Sequence, residues 1–301
     1  MAAYIYGVDD VGFKKLYETI TQNRWLETQL SFSKDRKALS TLDEQTKEYF
    51  KFIFCFLGMS EKLINFNILQ VLEPIKEDDV IHYYYEQLAI ETVHARTYRL
   101  ILDVFYEDAE DEIKQAVNRY MEDTILKDKI GYLENAIQRC KSFGERVIIL
   151  IVLEGIFFLS SFLSISFLRP FGFDGTTEAN TYICRDEKLH TDAASLLFLT
   201  YVPTEDRPSC DFVHKVFSDV VSIEKKFIEE KIKAVYCLDK ILLFDSVEAT
   251  ADILLVRIGY PPLYRKSIPK GWPLDTSLVD KNVCFFEKRN TEYCTRLTND
   301  L

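Results

Sequence analysis

The chain has 301 residues, with 37 Lys+Arg against 48 Asp+Glu and a formal net charge of −11. It is long enough to bury a large core, and at 48% hydrophobic and 28% charged it is too apolar to be disordered and too polar overall to be a multi-span membrane protein. The acidic balance disfavours nucleic acid as a partner, and only 10 Gly and 8 Pro argue against a loop-rich β-sandwich or a Gly-rich nucleotide fold.

Residues before position 40 read as irregular. Helical periodicity begins at 41–72, opened by a capping box of Thr41 and Glu44 and closed by Pro74. Further helices are expected at 79–105, at 111–136 and at 143–168, the last stopped by Pro170-Phe171-Gly172. Two more come at 176–199 and 206–238, then a shorter one at 246–258. Strand-like alternation is scarce. Beyond Pro261-Pro262 a loop and an extended tail are expected. The fold class is therefore all-α, a helical bundle over residues 1–272 with a flexible tail at 273–301.

Seven cysteines, at 55, 140, 184, 210, 237, 284 and 294, show no CxxC spacing, and the N-terminus MAAYIYGVDD lacks the look of a signal peptide. Both point to a reducing, cytoplasmic setting. One segment challenges this. Residues 147–168 read VIILIVLEGIFFLSSFLSISFL, long enough to cross a bilayer, with Glu154 as the single charge. A carboxylate near mid-span costs roughly 2.5–3.5 kcal/mol. The segment is better read as the buried central helix of a bundle, with Glu154 aimed at something that needs a carboxylate.

Of four histidines, two sit in the same pattern, Glu91-Thr-Val-His94 and Glu187-Lys-Leu-His190. On a helix, i and i+3 lie about 60° apart, so one metal can bind both side chains of each pair. Two ExxH motifs plus one carboxylate from each of two other helices form the ligand set of a di-iron or di-manganese carboxylate bundle. Glu154 and Glu61, both in apolar helices, supply those carboxylates. Mixed oxygen and nitrogen donors suit iron or manganese better than structural zinc.

The blocks MSEKLINFNI, EQLAIETVHARTYRLILD, LEGIFFLSSFLSI and ICRDEKLH resemble the small, radical-generating subunit of class I ribonucleotide reductase, a ferritin-like fold. The resemblance runs from about Trp25 to the C-terminus. The compact length, the FNI after EKLIN and the terminal Asn299-Asp300-Leu301 resemble the herpesvirus branch, gammaherpesviruses in particular. It implies that Glu61, Glu91 and His94 hold one iron and Glu154, Glu187 and His190 the other, with Glu91 and Glu187 able to bridge. Most members carry Asp where this chain carries Glu61. The resemblance makes Tyr98, one turn beyond His94, the radical tyrosine, with Phe158, Phe162 and Ile183 as its apolar wall. It assigns Trp25, Asp186 and Tyr293 to radical transfer, and Asn299, Asp300 and Leu301 to docking on a large subunit.

The resemblance further implies an oxidoreductase subunit, inactive alone, that uses two iron ions per chain (manganese as the alternative) and O2 to oxidise Tyr98. Its implied assembly is a homodimer within a heterotetramer of two large and two small subunits. In a virus it would work in the host cytoplasm, for deoxyribonucleotide synthesis. The rival readings are a ferritin-like protein for iron storage or O2 scavenging and, last, a single-pass membrane protein.

Overall fold

The computed structural model describes residues 6–232, 235 and 238–269. Among the described residues there are eleven α-helices and no strand. They are α1 (Val11–Gln22), α2 (Ser33–Ala38), α3 (Glu44–Leu72), α4 (Asp78–Phe105), α5 (Glu110–Met121), α6 (Thr124–Arg139), α7 (Phe143–Val152), α8 (Leu159–Ser166), α9 (Asp174–Tyr201), α10 (Cys210–Lys231) and α11 (Lys240–Arg257).

The bundle is arranged round its most apolar helix. Every residue from Val147 to Leu153 is buried, because α7 and α8 touch α3 on one side and α9 and α10 or α11 on others. Phe143–Phe171 has a mean hydropathy of 2.4 and is 89% buried over its most apolar stretch. A helix apolar on all faces belongs at such a centre. The stretch that could cross a bilayer is therefore core. The α3 helix is also long and apolar enough for a span, with a mean hydropathy of 1.4, and it too is mostly buried.

The central helix is not uniform. Between α7 and α8 the turn Leu153–Phe157 is π-helical, one residue wider than an α turn and a form that recurs at functional sites. The sequence pattern, read as one continuous helix over 143–168, does not contain this break. On one side Gly155 permits the turn to lie against α9 and α11: a methyl group there would sit 2.5 Å from Leu254 Cδ1 and 3.2 Å from Thr191 Cγ2.

Other boundaries differ for local reasons. The region before residue 40 holds α1, whose Phe13, Leu16 and Ile20 are buried and whose cap is Asp10, accepting from Phe13 N at 2.9 Å. Phe13, Leu16, Tyr17 and Ile20 do have helical spacing, but over only two turns, a short run beside the irregular stretches that flank it. Thr41 is not the cap of α3: its hydroxyl donates to Ala38 O, and Asp43 accepts from Thr46 N instead. The stretch 111–136 is two helices, divided where Asp123 caps α6 through the N–H groups of Ile125 and Leu126. Caps of this kind are worth about 1 kcal/mol each, and Ser209 and Asp239 likewise start α10 and α11 later and earlier, respectively, than the pattern suggests.

The N-terminal region is strapped to α9. Asp35, fully buried, accepts from Gly175 N at 3.0 Å and Thr176 N at 2.7 Å, covering the first turn of that helix. The approach is so close that a methyl group on Gly175 would collide with Ser31 O. Gly175→Ala should therefore lower stability by about 1–3 kcal/mol, the usual cost of overpacking, seen as a lower urea midpoint. Gly131→Ala, at a helical position with open space around it, should raise the midpoint slightly.

Candidate metal centre

Three helices and the π turn bring six side chains together. Glu61 comes from α3, Glu91 and His94 from α4, Glu154 from the π turn, and Glu187 and His190 from α9. All are buried. Their ligand atoms form two overlapping groups, Glu61 with Glu91 and His94, and Glu91 with Glu154, Glu187 and His190, each within 4.8 Å.

Two carboxylates span the groups. Glu91 lies 2.9 Å from His94 Nδ1 through Oε2 and 3.0 Å from His190 Nδ1 through Oε1. Glu187 lies 3.3 Å from His94 Nδ1 and 3.4 Å from His190 Nδ1, again with one oxygen to each. Yet both oxygens of Glu91, Glu61 Oε2, Glu154 Oε2, Glu187 Oε2 and both Nδ1 atoms lack a hydrogen-bond partner among the described residues. Buried polar atoms are nearly always paired, and leaving so many orphaned would be costly. Close approach without hydrogen-bond alignment is what lone pairs converging on a common point produce. The donor set fits two transition-metal ions with oxygen and nitrogen ligands, of the iron or manganese type.

The electrostatics of the metal-free cluster agree. Burial, with the neighbouring Glu91 and Glu187 carboxylates, pushes Glu61 and Glu154 well above the usual carboxylate range. Burial acts on Glu91 and Glu187 too, but the His190 and His94 imidazoles outweigh it and hold both low. Burial opposes charge on the two histidines, and Glu91 foremost overcomes it, raising both.

The surroundings hold particular ligands in place. His94 Nε2 faces Asp186 Oδ2 at 3.3 Å, and Trp25 Nε1 donates to the same oxygen at 2.7 Å. The Trp25 and His94 rings stack with centroids 6.0 Å apart. Two residues that the sequence pattern does not single out complete these surroundings. Arg185 donates to Asp186 Oδ1 at 3.1 Å and to Asn23 O at 2.7 Å. Gln87 donates to Glu154 Oε1 at 2.9 Å. Gln87 stands one turn before Glu91 on α4, the signal by which it could have been found.

Tyr98 lies on α4 one turn after His94, buried, with no partner for its hydroxyl among the described residues. Burial first, then the Glu61 and Glu187 carboxylates, push its pKa well above the ordinary value. Phe158, Phe162 and Ile183 are buried in the same core. Tyr293, Asn299, Asp300, Leu301 and the expected boundary at 272/273 lie outside the described residues.

The model of the family described as ribonucleotide reductase, small chain, matches residues 2–270. The chain belongs to the ribonucleotide reductase small-chain family. Relatives of that family include the ribonucleoside-diphosphate reductase small subunit of Alcelaphine herpesvirus 1 (strain C500), 41% identical across 99% of this chain and 98% of that protein. That of Epstein-Barr virus (strain B95-8) is 37% identical across 100% of both. Solved structures share the ferritin-like fold of the small chain. The Rnr4 homodimer from Saccharomyces cerevisiae superposes with a TM-score of 0.79 at 20% identity, covering 96% of this chain and 89% of that one. Dimanganese(II)-NrdF of Streptococcus sanguinis gives 0.79 at 18% identity, covering 90% and 95%.

Asp186 offers a direct test of charge beside the metal donors. Burial raises its pKa, but the His94 hydrogen bond, the Arg185 charge and the Trp25 N–H outweigh it and hold it low. A carboxylate depressed below its unfolded value of about 3.9 stabilises the fold above that pH and loses the contribution as pH falls through the lower value. The difference in urea midpoint between the protein and Asp186→Asn should be open at pH 7 and shrink below about pH 4. A constant difference down to pH 3 would mean that the Asp186 pKa is not depressed in the fold.

Proposed function

We propose that the chain drives ribonucleotide reduction by storing an oxidising equivalent on Tyr98. Family membership makes it the small subunit of a ribonucleoside-diphosphate reductase, an oxidoreductase. The observation that carries the rest of the reading is the position of Tyr98, one turn from a ligand-type histidine beside two overlapping groups of metal donors.

Glu61, Glu91 and His94 would hold one ion and Glu154, Glu187 and His190 the other, with Glu91 and Glu187 shared. We assign two irons per chain, manganese being the alternative the donors also suit. Two such ions, with O2, supply the power to remove an electron and a proton from a phenol. The protein's own residues do the remainder. The raised pKa keeps Tyr98 protonated until it is oxidised, and burial keeps water and reductants from the product. Phe158, Phe162 and Ile183 serve as its apolar wall.

Trp25, Asp186 and His94 form a continuous contact from the metal donors to the strap, suited to carrying an electron between the centre and a partner. The partner is the large subunit, which binds the nucleotides. Tyr293 would continue the route, and Asn299, Asp300 and Leu301 would dock, an apolar end beside two negative charges being suited to a groove with a pocket and basic groups. Phe66 and Leu69 of α3 and Tyr85 of α4 are more than half exposed, apolar surface that a homodimer would cover, and with two large subunits the assembly would be a heterotetramer. The core role of 147–168 supports a cytoplasmic protein free of membrane. A storage or scavenging protein has no use for the Trp25 relay.

Tyr98→Phe should bind the same metal per chain as the parent, by elemental analysis, but show no tyrosyl signal in electron paramagnetic resonance after Fe(II) and O2, and no reductase activity with the large subunit. Full activity would exclude Tyr98 as the radical site. Deleting residues 298–301 should leave the metal and the tyrosyl signal intact and abolish activity of the mixed complex. Unchanged affinity for the large subunit would remove the docking role.

A further inference from the structure

Beside the helix that carries Glu154 lies a buried cation that the chemistry above does not use. Lys129 of α6 and Glu224 of α10 are both fully buried, and Lys129 Nζ donates to Glu224 Oε1. Three rings close round the ammonium, with centroids at 4.1 Å for Phe227, 4.5 Å for Phe157 and 4.6 Å for Phe56. The second oxygen, Glu224 Oε2, accepts from Ser160 Oγ at 2.5 Å.

A buried ion pair is a weak source of stability, since apolar residues of similar volume often do as well or better. Its position suggests another role. Phe157 is the last residue of the π turn and Ser160 the second residue of α8. The group therefore grips the central helix just after the turn, through a ring over the ammonium and a hydroxyl on the carboxylate. Phe56 extends the grip to α3, lying 6.2 Å from Phe157 and 5.7 Å from Phe158 between ring centroids.

A π turn contains one residue more than the α turn it replaces. Relaxing it to α would shift the helix on one side by one residue, about 100° of rotation and about 1.5 Å of rise. Glu154 sits inside the turn, so its aim depends on which form is held. We propose that Lys129, Glu224 and Ser160 are positioning residues that lock the π turn, and thereby hold Glu154 toward the second metal group. Packing of Gly155 against Leu254 and Thr191 supports the turn from α11 and α9, while this clamp fixes it from α6 and α10. The inference rests on Glu154 being a ligand.

The test is Mn(II) titration of the full chain, with electron paramagnetic resonance and elemental analysis as readouts. Lys129→Leu/Glu224→Leu removes both charges together and avoids stranding one of them. It should keep its helicity by circular dichroism, bind the first equivalent as the parent does, and bind the second at least about 10-fold more weakly, the lower end of what loss of a ligand's support costs. Ser160→Ala, a milder change that keeps the ion pair, should move the second equivalent in the same direction, and it decides the matter if the double variant fails to fold. Parent-like binding of both equivalents overturns the proposal. So does equal weakening of both, which is what general loosening of the core would give. Glu154→Ala separates the two readings: retention of both equivalents there would defeat the ligand assignment itself, whatever the clamp variants do.

Discussion

Four carboxylates and two imidazoles facing one another in a dry interior are the constraint around which this protein is built. No helix bundle gathers such groups for stability, because each unpaired charge or lone pair costs free energy that packing must offset. The offset comes from the apolar residues of α3, α4, α7, α8 and α9 that are buried in the same core. Protons can neutralise part of the charge, as the raised pKa values of Glu61, Glu154, His94 and His190 indicate. They cannot satisfy all the converging lone pairs, and the cluster is one that could hold a metal.

The two ends of the cluster are supported differently. His94 is held through its outer nitrogen by Asp186, which Trp25 and Arg185 hold in turn. His190 has no such partner on Nε2 among the described residues. On its side the supported carboxylate is Glu154, held by Gln87. One end is thus wired to the protein surface through aromatic and polar contacts, and the other is enclosed.

Most of this was legible in the residues themselves. Two ExxH repeats and two carboxylates in apolar helices are rare enough to specify a centre, and helical spacing alone puts Tyr98 near His94. The buried role of 147–168 came from the cost of Glu154 in lipid. The parts that stayed hidden have physical reasons. The π turn leaves no mark on a hydrophobic pattern that is apolar at nearly every position. Helix α1 buries only Phe13, Leu16 and Ile20, and its apolar spacing runs for just two turns. Arg185 and Lys129 look like ordinary surface cations in sequence, and only tertiary packing shows that the first braces Asp186 and the second is sealed among three rings.

The strap from Asn23 to Asp35 meets α9 through several separate attachments, among them Arg185 to the Asn23 carbonyl, Asp186 to the Trp25 indole, and Asp35 to the first turn. It contributes no metal donor, yet its Trp25 ring is what covers Asp186 and His94 on that side. Exchange of water with the outer nitrogen of His94 is then governed by local opening of the strap, a fluctuation with its own free energy, smaller than that of unfolding the bundle. A stabilising change deep in α7 would leave that opening unaltered, whereas a single added hydrogen bond along the strap would make it rarer.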